Sequence, residues 1–381
     1  MQKRSLAILS LVFLFILSCS SPKKLVEKGK YDQAISMLIP KLKKKPANEK
    51  SIRILQDAWL QANTENEIRI KQLRETGQPD IWYAIFRNYI ALDKRQNAVM
   101  TLPAGVLSAI GFEKKEYSSY IDDARQKAAV YLYAHAKKLL EGENKQDARQ
   151  AYQELKKVSS LYKNYKEVDE LLRKALVKGT DNIEYEVRNQ SASVLPSYMF
   201  SKLQNIDLSS LDEIFVQFHN YPQKGVDYDY KIRLTLTSVK ITPDKQSTDP
   251  FTETRKIQVG WIEKRDSTGK EIKIPEYENV SSDVTLVQQY KSARIRAYLD
   301  FIDNAGQKVL IKVPVEAESV FSNKYATASG NTKACSMEVH TLLNNPRMIF
   351  PADDDLVLDA AKKLNHTIRQ LIWEDESYIK D

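Results

Sequence analysis

Two hydrophobic periods share this chain, and they divide it. Between Leu25 and Leu176 apolar residues recur every three or four positions, which lines one face of a helix, and Gly and Pro fall mainly between the runs. At Gly179-Thr180-Asp181 the pattern changes. Tyr228, Tyr230, Ile232, Leu234 and Leu236 alternate with Asp229, Lys231, Arg233, Thr235 and Thr237, the period of a half-buried strand. One period followed by the other implies an α+β chain, with a helical domain over 19–178 and a strand-rich domain over 179–345. Further strands are expected at 214–218, 255–263, 284–290, 293–302 and 308–315, with turns at 266–269 and 303–307. Spacings this short leave no room for crossover helices, so the sheet is expected to be antiparallel, as in a β-sandwich. Helical spacing returns after Pro351, from Leu356 to Trp373. It predicts a C-terminal helix within 346–381 that packs on the β domain.

The amino terminus has a pattern of its own. Lys3 and Arg4 precede an almost wholly apolar run from Leu6 to Leu17, and Ser18-Cys19 follow at once. The run is shorter than the ~20 residues of a spanning helix and suits the core of a signal peptide over 1–18. Ile16-Leu17-Ser18-Cys19 resembles the lipobox of bacterial lipoproteins, with Leu17 where a smaller residue is commoner. The resemblance implies cleavage before Cys19, a diacylglycerol on its thiol and a further acyl chain on its amine. Two or more chains anchor a protein stably where one holds it marginally. Neither an Asp nor an acidic run follows the cysteine, so the resemblance places the mature chain on the periplasmic face of the outer membrane.

Within the helical half, Gly29-Lys30-Tyr31-Asp32-Gln33-Ala34-Ile35, with Leu38 and Pro46, resembles the second half of a tetratricopeptide repeat. Gly29 turns the chain between helices, Tyr31 fills the gap beside the turn, Ala34 lets the helices approach, and Pro46 stops the second helix. Lys41 departs from the pattern, standing where a small residue is usual. Ile52, Leu55 and Trp59 line a further packing face, although Gln56 replaces the small residue. Asp80-Ile81-Trp82-Tyr83 through Tyr89 opens a third pair; Leu132, Ala136 and Leu139, then Ala148 and Tyr152 past Gly142, make a fourth. A helix over 166–177 resembles a cap. Such units bury their apolar faces by stacking, and the solenoid's concave surface holds an extended peptide or a partner helix. The apolar stretch 102–112 is expected to tuck beneath the array. The mature chain as a whole is similar to a group of Bacteroidetes lipoproteins that carry tetratricopeptide-like repeats before a β domain. Tyr228-Asp229-Tyr230, Val320-Phe321 ahead of Gly330, and Phe350-Pro351-Ala352-Asp353 carry that similarity. It implies no activity. Asp266-Ser267-Thr268 also resembles the acceptor triplet of Bacteroidetes O-glycosylation.

The chemistry-bearing residues point away from catalysis. The net charge of +8 falls to +6, from 56 basic and 50 acidic side chains, once Lys3 and Arg4 leave with the leader. Those charges are interspersed, whereas a nucleic-acid binder concentrates them on one face. The one tight cluster, Lys41, Lys43, Lys44 and Lys45, ends a helix, where cations suit the dipole. His135, His219, His340 and His366 stand at no metal-ligand spacing from one another or from a cysteine. His135 is expected in the helical core. No nucleophile elbow, phosphate-cradling loop or His-Glu-x-x-His helix occurs. With Cys19 acylated, Cys335 has no partner and the fold cannot rest on a disulfide. Asp353-Asp354-Asp355 suit a helix start and lack the spacing of a calcium loop. The sequence therefore predicts no catalytic residue, metal or cofactor. The expected role is a lipid-anchored protein–protein interaction scaffold in the cell envelope that grips an envelope protein partner. The alternative is glycan or peptidoglycan recognition by the β domain through Trp261, Tyr277 and Tyr290. A hydrolase with an unrecognised site is the third reading.

Overall fold

The computed structural model describes residues 21–374 except 193, 194, 266, 268 and 269. The chain forms two compact units, divided between Gly179 and Thr180. It is of the α+β class: helices make up the first unit, and a mixed sheet with helices the second.

The first unit consists of α1 (Pro22–Glu27), α2 (Tyr31–Lys44), α3 (Glu49–Thr76), α4 (Trp82–Val99), α5 (Ala104–Ala109), α6 (Ser118–Leu139), α7 (Lys145–Leu161) and α8 (Val168–Gly179). Local chemistry sets most of the boundaries. Gly29 turns between α1 and α2 with φ +68°, Gly77 ends α3 with φ +66°, and Pro46 sits in the turn after α2. The Asn48 and Asn144 side chains cap α3 and α7 by accepting from Ser51 N and Gln146 N. Consecutive long helices pack on one another, as short connections require. Ile35, Leu38, Leu42, Leu55 and Trp59 form a first core with Leu102, Val106 and Ile110, so the apolar stretch 102–112 tucks in at these three positions while Pro103, Ala104, Gly105, Ser108, Ala109 and Gly111 stay exposed. Ile85, Tyr89, Leu92 and Ile121 form a second core, and Leu132, Ala136, Leu155 and Val158 a third. The helices are unequal, since α2 has 14 residues and α3 has 28, so an even repeat period is not kept here.

The second unit runs β1 (Asp181–Asn189), α9 (Ser197–Gln204), β2 (Val216–His219), β3 (Tyr230–Ile241), β4 (Lys245–Arg265), β5 (Glu271–Asp303), β6 (Lys308–Gly330), α10 (Met337–Leu343) and α11 (Asp353–Glu374). One six-stranded sheet has the order β2-β1-β3-β5-β4, with β6 also on β5. The expected antiparallel sandwich is corrected on two counts. First, β1 is parallel to both β2 and β3, while the remaining pairs are antiparallel. The connection 190–229, which holds α9 and β2, is long enough for the crossover that parallel pairing needs. Second, helices rather than another sheet cover the core. Ile183, Tyr185, Val187, Ile232, Leu234, Ile295 and Phe301 meet Leu356, Ala360, Leu364, Ile368 and Ile372 of α11 and Met199 of α9. The opposite face carries a ladder of ion pairs instead: Lys231–Glu184 and Arg233–Glu186 at 3.0 Å, Arg294–Glu318 and Arg296–Glu316 at 2.8 Å. Alternation along β1, β3 and the second half of β5 sends apolar residues to the helices and charged residues to the other face.

β5 joins two of the expected strands into one of 33 residues. Its buried positions change parity. Ser282 and Val284 are buried on the face met by Val339 and Cys335 of the α10 region, whereas Ala293, Ile295, Ala297, Leu299 and Phe301 are buried on the face met by α11. That change of cover interrupts the period-two signal. The hairpin expected at 303–307 links β5 to β6, and the Asp303 carboxylate accepts from Ala305 N at 2.9 Å. The turn expected at 266–269 lies largely outside the described residues. β6 ends at Gly330, opposite Ser282. Gly330 has φ +103°, and a Cβ on it would lie 2.8 Å from Ser281 O, so no other residue fits this approach unstrained. Past that point 255–265 and 271–280 pair, among the described residues, only with each other, as a two-stranded arm.

Candidate functional site

Arg95 organises the site. It sits on α4 beside the apolar series Ile85, Tyr89, Leu92 and Val99, and its side chain is only 4% exposed. A guanidinium so placed must find acceptors, because burying an unpaired charge is costly. Its Nε donates to Asp32 Oδ1 at 2.6 Å and its Nη2 to Asp32 Oδ2 at 3.1 Å, a bidentate pair with α2. Nη1 donates to Asn63 Oδ1 at 2.7 Å and Nη2 also to Asn66 Oδ1 at 2.9 Å, both on α3. Asn66 Nδ2 donates to Asn88 Oδ1 at 2.7 Å, and Asn88 Nδ2 to Ala84 O at 2.8 Å. One cation thus ties three helices together.

Grooves open on both sides of this pair. The first, of about 280 Å³, is lined by Gly29, Tyr31, Asp32, Glu65, Asn66 and Arg95. There Tyr31 donates its hydroxyl to Gln61 Oε1 at 3.1 Å. Burial, and then the Glu65 carboxylate, push the Tyr31 phenol above its usual range, so it remains a donor. The second groove, of about 410 Å³, runs between α2 and α4, with Ile35, Ile39, Ala91 and Ala98 on its walls and Asp32, Lys94 and Arg95 beside them. A third, of about 470 Å³, is lined by Ile70, Tyr89, Leu92 and Tyr117 with Lys71, Arg74 and Glu75. Apolar walls with a few fixed charges suit the side chains of a docked segment. None of the three grooves is lined by histidine or cysteine, and among the described residues no group of three His, Cys, Asp or Glu is placed to hold a metal.

The residues singled out in the sequence fall in different places. Gly29 and Tyr31 line the first groove, Ala34 is fully buried between α2 and its neighbours, and Pro46 is exposed in its turn. Cys19 lies outside the described residues. Trp261 and Tyr277 are both exposed on the arm, where Trp261 is opposite Pro275 and Tyr277 opposite Gln258, on one face of the ribbon. Tyr290 does not join them. It stands thirteen positions further along β5, or roughly 40 Å at the rise of a strand, and on the opposite face. The three aromatic residues are therefore not one surface. His135 is also not a core residue: its Nδ1 lies 2.8 Å from Glu154 Oε2 and its ring stacks on Tyr131, with the side chain 31% exposed. His219 Nδ1 lies 2.8 Å from the Tyr228 hydroxyl. Sequence reasoning missed Asp32, Asn63, Asn66, Asn88 and Arg95 as a set. Arg95 carried a usable signal, an arginine three residues past Leu92 and four before Val99 in an apolar helical series. Its acceptors, 63 and 32 positions away for Asp32 and Asn63, carried none.

No protein-family model matches the chain, and no curated protein matches it in sequence.

Proposed function

We propose that this chain is a lipid-anchored envelope protein whose helical unit is a tetratricopeptide-like scaffold that grips a segment of a partner protein. The observation that carries the reading is the groove between α2 and α4. Its Ile35, Ile39, Ala91 and Ala98 walls offer apolar contact, and the Arg95–Asp32 pair beside it is held in place by Asn63 and Asn66. A surface with its charges already fixed loses little entropy when a partner docks. The positive-φ turn at Gly29, the buried Ala34 and the turn at Pro46 support a repeat-like origin for α1–α3. The membrane setting rests on the lipobox resemblance around Cys19.

Capture from detergent extracts tests both parts. The expected result is an envelope protein recovered at a fixed ratio with a bait whose intact mass shows acyl chains on Cys19. An Ala98→Glu bait, changed at an exposed position of the groove, is expected to lose that protein while keeping its helical circular dichroism. Equal recovery by the variant would sink the groove reading, and an unacylated Cys19 the membrane reading. Glycan recognition is the second reading. The observation favouring it is the shared exposed face of Trp261 and Tyr277.

A further inference from the structure

We propose that the two-stranded arm is a self-association device: the outer edge of β4 pairs antiparallel with the same edge of a second copy, about a two-fold axis at Gln258–Val259. The arm stands apart from the rest of the sheet. β6 stops at Gly330, so among the described residues 255–265 and 271–280 have only each other as strand partners. At ~3.3 Å per residue such a ribbon reaches roughly 35 Å, and a two-stranded ribbon in water is marginal by itself. Its apolar residues are distributed over both sides. Ile262, opposite Ile274, and Ile272 are exposed on one face; Trp261 (59% exposed) and Tyr277 (52%) are exposed on the other. A lid resting on one face would leave the other in water. A strand added at the edge supplies cross-strand neighbours to both faces at once.

The edge is available for that strand. Among the described residues β4 forms a ladder with β5 alone, so the backbone N–H and C=O groups of about every second residue along its 21-residue length point outward, the feature that recruits a further strand. Its charges suit a copy of itself. With Gln258 of one chain opposite Val259 of the other, Glu253 faces Lys264 of the second copy and Lys256 faces Trp261 of the second copy, each twice by symmetry. Thr254 then meets Glu263, Thr252 meets Arg265 and Arg255 meets Ile262, so no like charges oppose. The bulge between Gln258 and Gly260 makes the register workable. Its extra residue shifts the face of everything beyond it, which puts Glu253, Arg255, Ile262 and Lys264 on one side and Thr254, Lys256, Trp261 and Glu263 on the other. In an unbulged strand this register would oppose residues from different faces. Glu253 keeps one oxygen for the purpose, since only its Oε2 accepts from Ser336 N, at 2.6 Å.

Sedimentation equilibrium of the mature full-length chain in density-matched detergent tests the proposal. The wild type is expected to be a dimer in reversible equilibrium. Lys264→Glu, which opposes two pairs of like charges, is expected to weaken it about tenfold. The double variant Glu253→Lys/Lys264→Glu, with the charges exchanged, is expected to recover the wild-type constant. Circular dichroism of each variant checks that the fold is kept. A monomeric wild type overturns the proposal, including one that instead co-sediments with vesicles of phosphatidylethanolamine and phosphatidylglycerol. A dimer indifferent to Lys264→Glu, or a double variant that fails to recover, overturns it as well.

Discussion

Arg95 brings five N–H groups into the helical unit and spends four hydrogen bonds on Asp32, Asn63 and Asn66. Tyr185 is the opposite case. Its ring is fully buried against the helices of the second unit, burial pushes its phenol far above the ordinary range, and its hydroxyl has no hydrogen-bond partner among the described residues. A buried hydroxyl with no partner is a cost that the surrounding apolar contacts must offset. Tyr185→Phe is therefore expected to be neutral or to raise unfolding stability by up to about 1 kcal/mol, read from the urea midpoint. A clear loss would show that the hydroxyl has a partner, such as an internal water. Neither residue could be placed from sequence. An arginine or tyrosine in an apolar series tells of burial, but acceptors from other helices are a matter of folding in space, as with Asn66 and Asn88.

Among elements, the strands show where period-two reasoning works and where it stops. β3 was legible, since Ile232, Leu234 and Leu236 alternate with charges that pair on the open face. β1 was equally legible in principle, with Ile183, Tyr185 and Val187 alternating with Asn182, Glu184 and Glu186, but it follows α8 with almost no connecting turn and reads as its continuation. α9 was hidden because eight residues, SYMFSKLQ, are too few to display a helical period, and it is fixed to β1 through Gln204, which donates to Tyr185 O and accepts from Val187 N. Missing both made the sheet look wholly antiparallel. At the end of β6, Gly330→Ala is expected to cost about 1–3 kcal/mol, because a Cβ meets Ser281 O in a left-handed conformation. Thermal unfolding checks it, and an unchanged midpoint would mean that the strand end shifts without penalty.

For the molecule as a whole, the change of period at 179 was the most legible feature, and the division between Gly179 and Thr180 falls there. Each unit owns its core: Leu55, Ile85 and Leu155 belong to the first, and Phe301, Leu364 and Ile368 to the second. A chain that begins at Thr180 is therefore expected to unfold in one cooperative transition in urea, followed by circular dichroism. A gradual, sloping melt would show that its core is incomplete alone. Of the two grooves beside the Arg95–Asp32 pair, by contrast, the first was half legible, through Gly29 and Tyr31, because it is assembled from three helices, and the one between α2 and α4 was legible only through Ile35.

The long strand β5 carries a rule about length. Helices lie against one of its sides around Val284 and against the other from Ala293 onward, so the stretch between them works as a parity counter. Losing or gaining a single residue there would turn one helix's seat toward water, whereas a change of two would leave both seats facing inward. Among relatives of this chain, that stretch should vary in length by even steps.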